Sequence, residues 1–360
     1  MIGRKHDITN ILNKSTGSSS LTDEEIIYLL SLEDQCEIEE LFSAARTIRV
    51  ANFGKSIFLY GFIYFSTYCR NNCTFCFYRS SNTVSERYRK SHKEIIETAE
   101  KLTKSGVHLL DLTMGEDPFY FKEEHFEDLL NTIASIKEIS GLPMMISPGV
   151  VPRPVLDKFY DLGVSWYACY QETHNRQLYD ELRLNQDYDE RLELKKYARR
   201  KGLLIEEGLL AGIGESAEDI CHSFRVMEEL SADQVRVMSF VPQKGTPLEN
   251  QPSIPRIREL LMIAVMRLIF PDRLIPASLD VDGLSGLKKR LDAGANVITS
   301  IIPPGDGLLG VSQSTLDIQE GGRSVKGIKP VLQECGLEIA SKNDYKNWIK
   351  NRLLYFTDIE

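Results

Sequence analysis

The chain has 360 residues, 42% of them hydrophobic, and a formal net charge of −9. That is enough apolar material for a large core, while the acidic balance argues against a nucleic-acid partner and no apolar run approaches the ~20 residues of a membrane span. Seven unevenly spaced cysteines do not read as a disulfide framework, and the opening MIGRKHDITN has no apolar signal region; the expectation is a cytoplasmic enzyme.

Residues 22–48 show helical periodicity with acidic residues near the helix starts, and residues 1–55 read as an N-terminal helical cap. From Ser56 onward, short apolar runs alternate with amphipathic stretches. The runs are IFLYGFIYF (57–65), VHLLDLTM (107–114), MMIS (144–147), VSWYACY (164–170), LLIEEGLLAG (203–212), QVRVMSF (234–240), RLIPASL (273–279) and NVITSII (296–302). Strand, helix, strand at this spacing predicts parallel pairing with right-handed crossovers. Eight such units predict an α/β fold, a single (β/α)8 TIM-type barrel over 56–305, with 306–360 as a loop and helix extension carrying a Gly-rich patch at GDGLLG and EGGRS. Barrel chemistry belongs at the C-terminal ends of the strands.

The first such end carries YCRNNCTFCFY, with Cys69, Cys73 and Cys76 in a C-x3-C-x2-C run and Phe75 just before the last cysteine. Three thiolates in one loop can hold three corners of a [4Fe–4S] cube and leave the fourth iron without a protein ligand. A structural zinc needs a fourth ligand, and the nearest candidate is His92 in the following helix. A disulfide leaves one cysteine over.

Later strand ends supply polar residues. Gly115 and Glu116 follow the second strand, and a carboxylate with carbonyls suits an ammonium ligand. Ser147 follows the third. Glu172 ends the fourth, with Arg183 and Arg191 beyond it as candidates for a carboxylate. The fifth leads into AGIGES, a weak glycine-turn signal. Arg236 on the sixth strand, Ser278 and Asp280 after the seventh and Asp111 on the second place opposite charges on the barrel walls. Buried charges are costly unless paired, so these either pair with one another or bind a zwitterion.

The cysteine spacing resembles the signature of the radical S-adenosylmethionine (SAM) enzymes. In that family the open iron is chelated by SAM, which is cleaved to a 5′-deoxyadenosyl radical. The Glu-Thr … Arg stretch from Glu172 to Arg191 resembles the biotin-synthase and hydrogenase-maturase branch. FIYFSTYC, CTFCFY, DLTMGEDP, MISPG, YQETH, VRVMSFVPQKGTPLE, RLIPASLD and DAGANVITSI are together similar to the methylornithine synthase family of pyrrolysine biosynthesis, over residues 57 to about 305. The resemblance implies a [4Fe–4S] cluster on Cys69, Cys73 and Cys76, and SAM contacts from Phe75, Glu116, Ser147, Glu172, Arg183 and Arg191. It implies L-lysine as substrate, isomerised to (2R,3R)-3-methyl-D-ornithine by fragmentation and recombination. Arg236 is then assigned to the substrate carboxylate, Ser278 and Asp280 to the α-amino group and Asp111 to the distal ammonium, with the two acids interchangeable. An electron donor such as a flavodoxin or ferredoxin is a further implied partner. A maturase-like enzyme with another substrate, or a non-catalytic Fe–S scaffold, are the alternatives.

Overall fold

The computed structural model describes residues 7–16, 20–122, 125–303 and 322–357. The GDGLLG patch, the start of EGGRS and the first six residues lie outside them. All eight apolar runs form parallel strands: β1 (Ser56–Ser66), β2 (Leu109–Met114), β3 (Met144–Ser147), β4 (Trp166–Ala168), β5 (Leu204–Ala211), β6 (Gln234–Ser239), β7 (Pro276–Ser278) and β8 (Val297–Ile301). They are ordered β6-β5-β4-β3-β2-β1-β8-β7. Between β6 and β7 the ring closes only at its base. There Val235 N donates to Leu274 O at 3.0 Å and Leu274 N donates to Asp233 O at 3.1 Å. Above this point the two strands share no ladder, so the barrel is nearly closed.

Helices α4 (His92–Ser105), α5 (Phe126–Ser140), α6 (Arg153–Asp161), α7 (Arg176–Leu182), α8 (Tyr188–Arg200), α9 (Ala217–Glu229), α10 (Ile257–Ile269) and α11 (Gly283–Asp292) connect the strands. Their starts follow from local chemistry. Ser91 with Glu94 and Ser216 with Asp219 form capping boxes that satisfy otherwise orphaned N–H groups. The periodic stretch 22–48 is two helices rather than one, α2 (Asp23–Leu30) and α3 (Gln35–Phe53), preceded by α1 (Ile8–Thr16). The break comes from Asp34, whose carboxylate accepts from Cys36 N at 2.9 Å and Glu37 N at 3.1 Å and so starts a new helix. These three helices pack on α9, α10 and α11, and their apolar faces join the same core as the barrel.

The C-terminal segment does more than extend the chain. After α12 (Val325–Glu334), β9 (Glu338–Ile339) pairs with the start of β1, and α13 (Lys342–Thr357) covers the N-terminal mouth of the barrel. Inside that mouth Phe58, Tyr60, Leu109, Met145, Trp166, Leu204, Leu274 and Val297 pack with Tyr345, Trp348 and Ile349. The Tyr60 and Tyr345 hydroxyls bond at 2.8 Å, and Arg352 grips Asp233 through two nitrogens at 3.0 Å each. The interior is therefore sealed from below by α13. Among the described residues no helix is long and apolar enough to cross a membrane.

Candidate active site at the barrel mouth

The cysteine loop leaves β1 and is held down by charged residues that follow the motif, Arg87 and Arg89, and by Asp117 after β2. Arg87 donates to four backbone carbonyls of the loop, those of Thr67 (2.7 Å), Tyr78 (2.8 Å), Arg79 (2.6 Å) and Asn82 (3.2 Å). Arg89 forms a bidentate pair with the buried Asp117, at 2.7 Å for both bonds, and the Ser66 hydroxyl donates to the same carboxylate at 2.5 Å. Thus part of the MGEDP segment fastens the loop. Gly115 is required for close approach, because a Cβ there would run into the Tyr68 carbonyl and stand 3.0 Å from Cys69 Cβ.

Beneath the loop lies a cavity of about 220 Å³. Cys69, Cys73, Cys76, Phe75, Glu116, Ser147, Glu172, Arg183 and Arg191 all line it, together with Cys169 and Tyr170. A larger groove of about 650 Å³ lies alongside and shares Asn71 and Glu116, but carries no thiol on its walls. The smaller cavity is therefore the candidate site.

The polar residues of the cavity are already interlocked. Glu172 adopts φ +69°, a left-handed conformation that is strained for a non-glycine residue, and pairs with Arg183 Nη2 at 2.8 Å. It follows β4 rather than ending it, and joins β5 through a bridge to Leu209. Burial raises the Glu172 pKa against the pull of Arg183. Arg183 also lies 5.5 Å from the Phe75 ring centroid. Glu116 accepts from Arg70 Nε at 2.9 Å, from Val150 N at 3.1 Å and more loosely from Arg191 Nη2 at 3.4 Å. Three protein donors thus hold its carboxylate in place on the cavity wall. Gln186, which the sequence reading passed over, ties the set together. Its Nε2 donates to Cys73 Sγ at 3.1 Å, while Oε1 accepts from Arg191 at 2.9 Å and Arg183 at 3.3 Å.

Asp111, Arg236, Ser278 and Asp280 do not line the cavity. Strand periodicity puts Asp111 and Arg236 on the same inward faces as Thr113 and Met238, which do line it, so they lie one layer deeper. Of the two alternatives for these charges, mutual pairing is not the one formed: among the described residues no ion pair joins Arg236 to Asp111 or Asp280. Arg236 Nε donates to Glu206 Oε1 at 2.7 Å, and Asp280 accepts from Arg323 at 3.1 Å and from the Ser300 hydroxyl at 2.6 Å. The Ser278 hydroxyl also donates to Asp280, at 3.2 Å. Glu206 had a visible signal, two adjacent acids in the apolar run LLIEEGLLAG. Adjacent strand residues face opposite ways, and its neighbour Glu207 pairs with the buried Lys195 of α8. Arg323, in the tail, had none.

Two deep groups remain incompletely paired. Arg236 Nη2 is buried without a hydrogen-bond partner. Burial works against its charge, but Glu206, Tyr170 and Asp111 together outweigh this and hold its pKa above the ordinary value. Asp111 accepts from the Thr113 hydroxyl at 3.0 Å and forms no ion pair among the described residues. Burial, then the Glu206 charge, pushes its pKa up to about 7 against the pull of Arg236.

The donor set fits the expected cluster. Cys69, Cys73 and Cys76 are free thiols on one cavity wall, and Cys73 Sγ receives N–H groups of the kind that stabilise a cluster thiolate. Burial pushes the Cys69 thiol up to about 11, so metal loading there releases protons. The zinc alternative loses its fourth ligand, since His92 is exposed at the start of α4 and contacts Thr132 at 3.2 Å. Among the described residues no three His, Cys, Asp or Glu side chains converge as ligands of a single ion.

Comparison with known proteins agrees with this geometry. The family model for the Radical SAM superfamily matches residues 63–227. The 3-methylornithine synthase of Methanosarcina acetivorans is 42% identical over 96% of this chain and 97% of its own length. A crystal structure of methylornithine synthase superposes with a TM-score of 0.90 at 42% identity, covering 94% of this chain and 99% of that one. The [FeFe] hydrogenase maturase subunit HydE of Thermotoga maritima is 31% identical over 77% of this chain and 79% of its own. On its cysteine loop, its barrel and these matches, the chain belongs to the 3-methylornithine synthase family of the radical SAM superfamily.

Proposed function

We propose that this chain isomerises L-lysine to (2R,3R)-3-methyl-D-ornithine, as a carbon-skeleton mutase of pyrrolysine biosynthesis. The observation that carries the substrate is the deep layer: a guanidinium with a buried nitrogen unpaired, near a carboxyl with no cationic partner among the described residues. A carboxylate at one end and an ammonium at the other answer both, and lysine presents both.

In this reading Cys69, Cys73 and Cys76 hold three irons of the [4Fe–4S] cluster. Arg191, steadied by Glu116 and Gln186, takes the SAM carboxylate, with Arg183 as the second candidate. Glu172 and Ser147 serve the polar groups of SAM, and Phe75 offers its ring face. Cluster and SAM together supply a hydrogen-abstracting adenosyl radical when bound. The protein then has to keep both ends of the substrate anchored while its skeleton rearranges, and to keep water out. Arg236 holds the carboxylate, Asp111 the distal ammonium, and Ser278 with Asp280 the α-amino group. Asp280 already accepts from Arg323 and two hydroxyls, so Asp111 is the acid better placed to gain a cation. The seal formed by α13 closes the interior below. A cytoplasmic location and a flavodoxin or ferredoxin as electron donor complete the proposal.

The test is incubation of anaerobically reconstituted, reduced protein with SAM and labelled lysine, followed by amino-acid analysis. A branched diamino acid is expected. SAM cleavage that is indifferent to lysine and yields no such product would sink the mutase reading and favour maturase-like chemistry.

A further inference from the structure

We infer that Glu206 is a positioning residue for recognition of the substrate carboxylate, holding Arg236 by its Nε so that the rest of the guanidinium stays available to the ligand. The inference rests on the reading of Arg236 given above.

The geometry of the pair carries it. Ion pairs between arginine and a carboxylate are commonly bidentate, with two parallel bonds. Here only Nε is engaged, at 2.7 Å; Nη1 has Met238 Sδ at 4.0 Å, and Nη2 is buried with no hydrogen-bond partner. Other arginines here, such as Arg49 and Arg256, also leave a buried nitrogen unpartnered, but Arg236 stands one layer below the cavity, where Nη2 is a donor that a ligand carboxylate can satisfy.

Glu206 is itself fixed from two further sides. Gln234 Nε2 donates to it at 2.5 Å and the Tyr170 hydroxyl at 2.7 Å, and its side chain has no exposure. The Tyr170 ring lies 5.7 Å from the Arg236 guanidinium. Room for that ring comes from Gly208, which pairs with Arg236 across β5 and β6 and where a Cβ would sit 2.8 Å from Tyr170 Cδ1. Four residues from two strands and the β4 exit thus hold one guanidinium in one orientation.

The charge of Glu206 also reaches Asp111. The groups that face Asp111 are Thr113 on its own strand, Glu206 on β5, Arg236 on β6, Asp280 beyond β7, and the hydroxyls of Tyr60, Tyr170 and Tyr345. Removing the Glu206 charge therefore makes Asp111 easier to ionise, whereas shortening Glu206 by one methylene leaves that charge near and withdraws it from Arg236.

The experiment measures L-lysine binding by calorimetry across pH, on unreduced holoenzyme with cluster and SAM loaded. Glu206→Gln is expected to bind lysine roughly ten- to a hundredfold more weakly, with the pH midpoint of binding moved down. Glu206→Asp, which keeps the charge and serves if the first variant fails to fold, is expected to lose similar affinity with the midpoint unmoved. SAM affinity and iron content stay at wild-type values in both. Wild-type lysine affinity in both variants, or a parallel loss of SAM affinity and iron, overturns the positioning role. Failure of the wild-type holoenzyme to bind lysine instead overturns the substrate reading beneath it.

Discussion

The protonation of Asp111 links pH to substrate binding. Burial and the neighbouring Glu206 raise its pKa from 3.8 to about 7. A difference of about three units corresponds to roughly 4 kcal/mol between folded and unfolded states. The folded, ligand-free protein keeps a proton that the unfolded chain has already released above pH ~4. Through this group, stability is fully present below that pH and is lost as pH rises to about 7. An ammonium beside Asp111 needs the carboxylate, so lysine binding below about pH 7 expels a proton. Affinity then falls about tenfold for each unit of pH below the midpoint and levels off above it. Calorimetry of lysine binding to SAM-loaded enzyme, in buffers of different ionisation enthalpy, reads both the affinity and the released proton. Asp111→Asn is expected to bind lysine weakly with a flat profile and no proton release. A wild-type affinity that does not change between about pH 6 and pH 8, or an Asn variant that keeps the wild-type profile, refutes the assignment of the ammonium to Asp111.

Cys69→Ser, Cys73→Ser and Cys76→Ser are each expected to lose the cluster in iron analysis and visible absorption, whereas Cys36→Ser at the exposed start of α3 keeps four irons per chain. Arg191→Ala should weaken SAM binding by ~1.5–3 kcal/mol, the worth of a charge-assisted bond, without loss of iron; unchanged SAM affinity moves the role to Arg183. Tyr345→Phe, which leaves the buried Tyr60 hydroxyl without its 2.8 Å partner, should cost ~1–3 kcal/mol in denaturant unfolding, and Tyr345→Ala ~3–5 kcal/mol. A Tyr345→Ala protein as stable as wild type contradicts the packing role of α13.

The sequence by itself determined the strands and the cluster loop. Eight apolar runs separated by amphipathic stretches leave a parallel barrel as the consistent arrangement, because a strand buried on both faces is apolar throughout and its crossover helix is apolar on one. Three cysteines within eight residues carry their chemistry in local spacing, so Cys69, Cys73 and Cys76 were legible before any fold. Glu172, Arg183 and Arg191 were legible as candidates by their place after a strand, and the fold brings them to one cavity with the cysteines. What spacing could not give was partner choice among distant charges. Arg236 pairs with Glu206 and Asp280 with Arg323, and these pairings depend on which side chains share a layer inside the ring. The stopper was equally hidden. That α13 turns back under the barrel is decided by the complementarity of Tyr345 and Trp348 to a ring of residues drawn from many strands. Local periodicity fixes which face of an element is apolar, but burial inside a nearly closed barrel joins residues up to hundreds of positions apart, and only the tertiary structure says which of them meet.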